Sequence, residues 1–451
     1  MTDGDSPSAT SNMSSPQSNS VTVVGAGLAG CEAAWQLAEQ GIDVTLVDMK
    51  PETRSAAHSS NGPAELVCSN SFRAAGVSSA VGLLKEELRR QGSLLMRAAD
   101  ETAVPAGRAL AVDRVLFSET VARAIAVHPR IRTECRRVES LPEGRVILAT
   151  GPLTDGPLAE ALAEHGALLN YHDAIAPLVS AESLDFNKVF AASRYEDPSE
   201  DGAYLNCPFE KDEYTAFVEA LTSAECTPLH DFESAPFFEG CLPVEELAAR
   251  GFRTLAFGPL KPVGLTDPAT GRHPYAVVQL RRENLRGDAF NLVGFQTRLT
   301  QPEQRRVFRM IPGLEDAVFE RYGQVHRNSF VEAPSVLDER LRLRGNPRVT
   351  IAGQLSGVEG YVESIASGLW AARFAAAELL GIELTPPPAT TASGGLLRYL
   401  TIPQKRFQPS NVVWAMIDAP VRDKRKQGKR EHREACAAKA LADFDAWRGT
   451  V

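Results

Sequence analysis

A glycine-rich loop near the start of the ordered sequence has the residue types and the spacing that bind a dinucleotide. Gly25 permits a tight turn, Gly27 lets backbone N–H groups approach a pyrophosphate, and Gly30 lets a helix pack closely on its strand. The positive end of the helix dipole then faces the phosphates, and Asp48, after the next strand, can accept a hydrogen bond from a ribose hydroxyl. The candidate loop consists of Gly25, Ala26, Gly27, Leu28, Ala29 and Gly30.

The elements around this loop form a βαβ unit. The β-branched run Val21–Val24 predicts a strand, and Asp43–Val47 predicts the next one. Between them, apolar residues recur at helical spacing and Gly41 stands where the helix would end. The apolar positions of that helix are Ala33, Ala34, Leu37 and Ala38.

Two later strands complete the nucleotide-binding layout. The runs Arg145–Ala149 and Val349–Ala352 are both apolar, and a glycine follows each. A strand about three hundred residues after the glycine-rich loop that brings the chain back to the nucleotide resembles FAD-binding folds. NAD-binding and S-adenosylmethionine-binding layouts do not explain this late strand. The residues expected at these two strand ends are Thr150, Gly151, Gly353 and Gln354.

The predicted fold is therefore α/β: a Rossmann-like FAD-binding domain in two sequence segments, interrupted by a mixed α+β insertion domain. Residues 1–20 carry seven serines and no Lys or Arg, which predicts a disordered tail. The predicted divisions are a tail at 1–20, FAD-binding segments at 21–164 and 326–385, an insertion at 165–325, a linker at 386–395 and a basic extension at 396–451.

Composition bounds the class of protein. The chain has 451 residues, 43% of them hydrophobic, and a net charge of −9. It contains no apolar run of the ~18–20 residues that a membrane-spanning helix needs, and it is not a uniformly basic nucleic-acid binder. Its seven cysteines form no CxxC pair, which fits a reducing, cytoplasmic location rather than a disulfide framework.

Two cysteines have surroundings that could make a thiol reactive. Cys68 lies in a loop-like stretch of small polar residues, although a small buried side chain is the more common role for any single cysteine. Cys241 precedes a helix predicted to begin at Pro243 and to end at Arg250. A thiolate there would be stabilised by the helix dipole, but neighbouring glutamates oppose this effect.

The other cysteines and the histidines carry no comparable signal. Cys31 should be part of the core of the first helix, and Cys207, before a proline, should be structural. Cys135, Cys226 and Cys436 have no local argument for reactivity. The eight histidines form no HxxxH or HExxH spacing, so no metal site is predicted.

Four long stretches together resemble a known family, the bacterial folate- and FAD-dependent tRNA (uracil-5-)-methyltransferases, which are related to the flavoproteins that modify wobble uridines. The resemblance covers about residues 21–450, with Asp48 standing where Glu is usual. The stretches are Glu65–Ser71, Phe238–Pro243, Leu292–Thr297 and Ala352–Ser364.

The resemblance implies methylation of the T-loop uridine of tRNA, at position 54, on its C5 atom. It implies 5,10-methylenetetrahydrofolate as carbon donor, reduced FAD as hydride source, and NADH or NADPH as reductant. Uridine C5 is a poor nucleophile until a thiolate adds to C6. By carry-over from the family, Cys241 is the nucleophile and Cys68, beside the flavin, is the base that removes the C5 proton, although the two roles are exchangeable.

Partners follow less directly from the residues. A run at 422–433 has a net charge of +5, which suits contact with RNA phosphates but equally suits a solvated helix surface or a tail. Arg281-Arg282 and Arg305-Arg306 could extend this basic patch, and Tyr361 and His326 are either cofactor neighbours or packing residues. Two other classes of function stay open: an FAD oxidoreductase of a small metabolite, and a non-catalytic flavin-carrying RNA-binding module.

Overall fold

The structure, a computed structural model, describes residues 19–55, 57–164, 168–194, 202–228, 242–405, 407–421 and 428–449. Cys241 lies outside the described residues, as do residues 1–18 of the predicted tail and residues 422–427 of the basic run. Ser20, the last residue of the predicted tail, already belongs to the first strand.

The first third of the chain begins with the predicted βαβ unit. The strands expected at Val21–Val24, Asp43–Val47 and Arg145–Ala149 are each found within one residue of their predicted bounds. The elements are β1 (Ser20–Val24), α1 (Leu28–Glu39), β2 (Asp43–Asp48), β3 (Ser71–Ala74), α2 (Ala80–Arg90), α3 (Leu94–Glu101), β4 (Ala103–Val104), β5 (Ala109–Val112), α4 (Arg114–Val127), β6 (Ile131–Cys135), β7 (Arg145–Leu148) and α5 (Gly156–Ala163).

The middle of the chain changes to mostly antiparallel strands with short helices. Its elements are β8 (Leu168–Ile175), β9 (Leu178–Ser180), β10 (Phe190–Ala191), β11 (Tyr204–Phe209), α6 (Lys211–Thr222), α7 (Val244–Ala249), α8 (Thr254–Phe257), β12 (Ala276–Arg282), β13 (Ala289–Leu292), α9 (Gln301–Phe308), β14 (Phe319–Arg321) and β15 (Gln324–Val331).

The last part of the chain returns to the first sheet and then becomes helical. Its elements are α10 (Ala333–Val336), β16 (Arg342–Leu343), β17 (Asn346–Ile351), α11 (Tyr361–Leu380), α12 (Ala392–Thr401) and α13 (Lys429–Arg448). Among the described residues, no helix is long and apolar enough to cross a membrane.

The main sheet confirms the predicted Rossmann-like fold in two segments. Its strand order is β16-β17-β7-β1-β2-β6, and every pair except β16–β17 is parallel. The late strand β17 pairs with β7, with Val349 opposite Val146. Parallel pairing brings the carboxyl ends of β1, β7 and β17 to one edge, where such sheets bind ligands.

A second sheet, of order β10-β11-β12-β13-β9-β14, forms the centre of the inserted unit. Helices α6 to α9 accompany it, and the unit has its own hydrophobic core, which includes Phe209, Phe217, Phe295 and Phe308. The predicted α/β fold with a mixed α+β insertion therefore describes the chain.

An antiparallel ribbon of two strands, β8 and β15, joins the two units. Its eight residue pairs run from Leu168 opposite Val331 to Ile175 opposite Gln324. Strand β15 contains the predicted boundary at 325, the predicted boundary at 165 lies outside the described residues, and the bounds of the insertion stay a prediction.

The segment predicted as a linker, residues 386–395, is packed rather than free. Helix α12 begins inside it at Ala392, and the carboxylate of Glu87 accepts hydrogen bonds from the N–H groups of Ala392 (2.7 Å) and Ser393 (2.7 Å). A Cβ atom on Gly394 would lie 2.1 Å from the carbonyl oxygen of Pro388. The small residues of this segment therefore allow close packing of the backbone.

The C-terminal helix α13 also packs against the first unit. Ala437, Ala440 and Phe444 are buried, and the ring of Trp370 on α11 lies 6.5 Å from the ring of Phe444. The predicted basic extension thus includes a helix whose apolar face belongs to the main hydrophobic core.

Candidate active site

A cavity of about 430 Å³ lies at the carboxyl edge of the main sheet, between the two units. Cavities of this size are typical of small-molecule sites. Its lining includes ten of the residues that the sequence analysis selected: Gly25, Gly27, Leu28, Ala29, Asp48, Cys68, Thr150, Gly151, Gly353 and Gln354. The other two loop residues do not line the cavity: Ala26 is buried, and Gly30 packs against Gly25 and against Ala149 at the end of β7.

The three loop glycines have different surroundings. A Cβ atom on Gly25, whose φ is +100°, would lie 2.4 Å from the carbonyl oxygen of Ala149. A Cβ atom on Gly30 would lie 1.7 Å from the carbonyl oxygen of Gly25, whereas Gly27 has no atom within 4 Å of that position. Gly25 and Gly30 are thus required for packing, and Gly27 leaves an open face towards the cavity.

The N-terminus of α1 is directed towards the same cavity. Gly27 is its N-cap and has no side chain to accept from the first turn, so the N–H groups there can bind an anion.

Asp48 stabilises the loop itself. Its carboxylate accepts hydrogen bonds from the N–H groups of Ala26 (2.6 Å) and Lys50 (2.8 Å). A carboxylate has about four acceptor positions, so Asp48 can still accept a hydrogen bond from a hydroxyl group in the cavity. The contact with Ala26 adds a structural role that the sequence did not reveal.

The ends of β7 and β17 complete this side of the cavity. Thr150 and Thr154 share a hydrogen bond of 2.7 Å between their hydroxyls, and Gly151 has a φ of +77° with no atom near its missing Cβ. The N–H of Gly353 donates to the buried hydroxyl of Ser367 (2.8 Å). Both loops therefore present backbone to the cavity.

Cys68 lies on a loop that side chains from both units fix in place. The hydroxyl of Tyr361 accepts hydrogen bonds from the N–H groups of Cys68 (2.9 Å) and Ser69 (3.0 Å). The guanidinium of Arg321 donates to the carbonyl oxygens of Val67 and Cys68, both at 3.1 Å. The thiol itself is half-buried and lines the cavity.

The electrostatic setting of Cys68 opposes its ionisation. Burial, with the carboxylate of Asp173 as the second cause, raises the pKa of the Cys68 thiol to about 12, while Arg321 and Arg114 act in the opposite direction. Cys68 is therefore protonated at neutral pH in the protein alone. The small polar neighbours seen in the sequence do not lower its pKa.

A buried acid near the same cavity wall was missed by the sequence analysis. The Glu359 carboxylate accepts hydrogen bonds from the hydroxyl of Tyr171 and from Nε2 of Gln354 (3.0 Å). Burial, followed by the charge of Asp173, raises the pKa of Glu359 to about 7. No local spacing marks this group, because Tyr171 is 188 residues away in the sequence.

His326 lies directly opposite Asp173 in the ribbon, and both line the cavity. Burial, with Arg321 as the second cause, lowers the pKa of His326, so its imidazole is neutral at neutral pH. Its Nε2 atom is buried and makes no hydrogen bond to the described residues. Within those residues, no group of three or more His, Cys, Asp or Glu is arranged to hold a metal ion.

The inserted unit forms the opposite wall. Arg281 is buried, and its Nε donates to the side-chain oxygen of Asn70 (2.8 Å), while Asn70 donates to the carbonyl oxygen of Arg282 (2.9 Å). Arg306 forms an ion pair with Glu303. Arg281 is therefore part of the interface between the units and does not extend a basic surface patch.

The segment that follows Cys241 is attached to this wall. Helix α7 begins at Val244 and ends at Ala249, so Pro243 is its N-cap rather than its first residue. The N–H of Val244 donates to the carbonyl oxygen of Gln296 (2.7 Å), and Gln296 lines the cavity. A helix of six residues supplies only a small dipole, so the dipole argument for Cys241 is weaker than the sequence indicated.

The remaining cysteines agree with their expected environments. Cys31 and Cys207 are fully buried, and burial raises the pKa of each thiol. Cys135 is exposed, Cys226 is half-buried and Cys436 is buried, and none of the three lines the cavity.

This fold and this cavity define a dinucleotide-binding protein of the two-segment Rossmann type. Residues 20–383 match the family described as glucose inhibited division protein A, and the chain belongs to this family.

Relatives of similar length share about half of the sequence. The chain is 55% identical to the methylenetetrahydrofolate--tRNA-(uracil-5-)-methyltransferase TrmFO of Geobacter sulfurreducens, over 96% of this chain and 99% of that protein. It is 53% identical to the protein of the same name from Syntrophotalea carbinolica, over 98% of this chain and 96% of that protein. The family resemblance that the sequence indicated is confirmed.

A solved structure of Aquifex aeolicus GidA has a similar fold. It superposes with a TM-score of 0.68 at 16% identity, over 95% of this chain and 73% of that one. At this identity the similarity supports the fold alone.

The buried Glu359 gives a testable dependence of stability on pH. In the unfolded chain a Glu loses its proton near pH 4.3, whereas in the folded protein Glu359 holds its proton up to about pH 7. Its contribution to stability is therefore fully present below the lower pKa and is lost as the pH rises through the higher one. Glu359→Gln keeps an oxygen acceptor without the charge, so we expect its thermal midpoint to rise relative to wild type between pH 5 and pH 8.

Thermal denaturation at each pH measures this difference, and the exposed Glu143 supplies a matched control. Glu143→Gln should follow the wild-type curve throughout. Parallel curves for Glu359→Gln and wild type would contradict the assigned environment of Glu359.

Proposed function

We propose that the chain is a folate-dependent tRNA (uracil-5-)-methyltransferase that transfers a one-carbon unit from 5,10-methylenetetrahydrofolate to C5 of the T-loop uridine at position 54. The names of relatives more than half identical over nearly the whole chain support this function. The observation that carries it is a single cavity lined by the dinucleotide loop, by Cys68 and by Gln296, to which the segment after Cys241 is bonded.

The residues present fit FAD, the cofactor that the fold family implies. The open face of Gly27, the open face of Gly151 and the uncapped start of α1 form a cradle for a pyrophosphate. Asp48 would hold a ribose hydroxyl. When bound, reduced FAD supplies the hydride that converts the transferred methylene into a methyl group.

The two candidate thiols have different roles, one as nucleophile and the other as base. The Cys241 thiolate adds to C6 of uracil, which makes C5 nucleophilic, and C5 bonds to the methylene carbon of the folate as one of the two bonds from that carbon to folate nitrogens breaks. Cys68 removes the proton from C5, and the electron pair released in this way breaks the second carbon–nitrogen bond, so that tetrahydrofolate leaves. A hydride added to the methylene carbon would then re-form the C5–C6 double bond and expel the Cys241 sulfur from C6. Leu242, the described residue next to Cys241, belongs to the segment bonded to the cavity wall, which supports this assignment.

Cys68 must lose its proton before it can act as a base. Burial is the largest cause of its high pKa and the negative charge of Asp173 is the second, so the positive charges of Arg321 and Arg114 have to outweigh both effects for the thiolate to form. Excluding water from the cavity strengthens all of these interactions together.

We also propose that NADH or NADPH reduces the flavin and that the enzyme works in the cytoplasm, where its tRNA substrate is available. The inserted unit and the C-terminal basic run are the proposed tRNA-facing parts of the chain.

The methyltransferase function predicts a defined product. Purified protein incubated with unmodified tRNA, methylenetetrahydrofolate and NADPH under anaerobic, reducing conditions should form 5-methyluridine, measured by mass spectrometry of nucleosides. Omitting the folate is the control and should abolish the product. Flavin reduction without any 5-methyluridine would instead favour a small-metabolite oxidoreductase.

The roles of the two thiols predict different behaviour with RNA that contains 5-fluorouridine. In 5-fluorouridine, fluorine replaces the hydrogen at C5 that the base would remove as a proton. The covalent adduct between the protein thiol and C6 should therefore persist and shift the protein on a denaturing gel. Cys241→Ala should lose this adduct, because it lacks the nucleophile, whereas Cys68→Ala should keep it. Cys135→Ala, at an exposed site outside the cavity, is the control. An adduct that survives in Cys241→Ala would overturn the assignment.

Substitutions of two glycines in the dinucleotide loop should have different effects, one on flavin binding and the other on folding. Gly27 has a φ of −74° and open space around it, so Gly27→Val should fold but fill the cavity and lose the flavin. Gly30→Val should unfold the loop, because its side chain would overlap the backbone of Gly25. Flavin absorbance per mole of protein, together with the thermal midpoint, distinguishes the two results. Full flavin content in Gly27→Val would argue against this loop as the pyrophosphate site.

A further inference from the structure

The surface that follows α7 in the inserted unit combines exposed aromatic rings with cations. Residues 250–264 contain Arg250, Arg253 and Lys261 and no Asp or Glu, in a chain whose net charge is −9. Phe257 is 76% exposed and Phe252 is 41% exposed. We call Phe252, Arg253, Phe257 and Lys261 the α8 patch.

The backbone that carries the α8 patch is fixed in place. Leu255 and Leu260 are fully buried in the core of the inserted unit, and the N–H of Val277 in β12 donates to the carbonyl oxygen of Leu260 (2.9 Å). The ring of Phe252 packs edge-on against Tyr214 at 5.3 Å. Phe257 is therefore exposed on an ordered segment, because buried residues on both sides of it in the sequence hold the backbone in place.

The patch is continuous with the candidate active site. Pro259 packs so closely against Gly294 that a Cβ atom on that glycine would lie 2.7 Å from the Cβ of Pro259, and Gly294 lines the cavity. Helix α7, which leads into the patch, is bonded to the cavity wall through Val244 and Gln296. The segment that carries the α8 patch thus packs against one wall of the cavity.

The charges of the α8 patch are available to a partner. Arg253 and Lys261 are exposed, and neither forms an ion pair with another described residue. Elsewhere in the same unit, the exposed Phe186 lies near Lys188, but Lys188 is paired with Glu315 at 2.8 Å. Asp212 and Glu213 lie in the first turn of α6, the helix whose Tyr214 packs against Phe252.

We propose that the α8 patch binds the RNA strand next to the target uridine, with Phe257 stacked on an unpaired base and Arg253 and Lys261 on phosphates. This inference rests on the proposed function. An enzyme that acts on a base inside a cavity must take that base out of its stack, which leaves neighbouring bases without a stacking partner. An exposed aromatic ring flanked by cations supplies both contacts that such a strand needs.

The test is binding of an unmodified tRNA transcript to the full-length holoenzyme, measured by fluorescence anisotropy over a range of salt concentrations. Phe257→Ala should weaken binding by about five- to one-hundred-fold, with the salt dependence unchanged, because stacking carries no net charge. Arg253→Ala and Lys261→Ala should each reduce the slope of log K against log salt by about 0.7–0.9.

Phe186→Ala and Lys188→Ala are the matched controls, since they change the same residue types on another surface of the same unit. Both should bind tRNA as wild type does. Flavin content and thermal midpoint show whether each variant is folded, and size-exclusion chromatography reports self-association.

The outcomes separate this inference from the proposed function. If wild type methylates tRNA but all three patch variants bind it as tightly as wild type, the patch does not contact RNA and the inference is wrong. If Phe257→Ala changes the oligomeric state instead of RNA affinity, the patch is a protein interface, which also overturns it. If wild type neither binds nor methylates tRNA, the proposed function fails first.

Discussion

The first turn of α1 packs directly against the carboxyl end of β7, and backbone atoms make that contact. Gly25 and Gly30 approach each other and Ala149 so closely that neither position has room for a Cβ atom. On the other side of α1, Gly368 of α11 is as tightly packed against the backbone of Ala29. Because α1 is packed closely on both of these contacts, the direction of the N–H groups in its first turn is fixed. The shape of the cavity, the open face of Gly27 and the position of β17 all depend on this packing.

The second wall of the cavity depends on polar contacts between the units rather than on apolar packing. Asn70 bonds to Arg281 and to the backbone of β12, while Arg321 holds the backbone of the Cys68 loop. Tyr361, at the start of α11, holds the same loop from the first unit. Cys68 therefore lies on a segment that both units position, so a shift between the units would move its sulfur relative to the dinucleotide loop.

Local patterns predicted what local physics determines. The βαβ unit, the close packing at Gly25 and Gly30 and the late strand could be predicted from periodicity and from the spacing of the glycines. Contacts between distant residues could not be predicted in this way: the pairing of β8 with β15, the hydrogen bond from Tyr171 to Glu359, and the contact of Asp48 with Ala26 have no local signal. Composition predicted a linker at 386–395 but not its packing, because small residues allow either flexibility or close backbone packing, and composition does not distinguish the two.

Protonation of the cavity acids and ionisation of the Cys68 thiol are linked. Asp173 and Glu359 both raise the pKa of Cys68, and Glu359 itself takes up a proton near pH 7. A proton bound by Glu359 removes a negative charge that acts on the sulfur and so favours the thiolate. The charge of Glu359 and the charge of the Cys68 sulfur are therefore coupled, so that a proton bound by one group offsets a proton lost by the other. This arrangement suits a site in which a proton must move without opening the cavity to water.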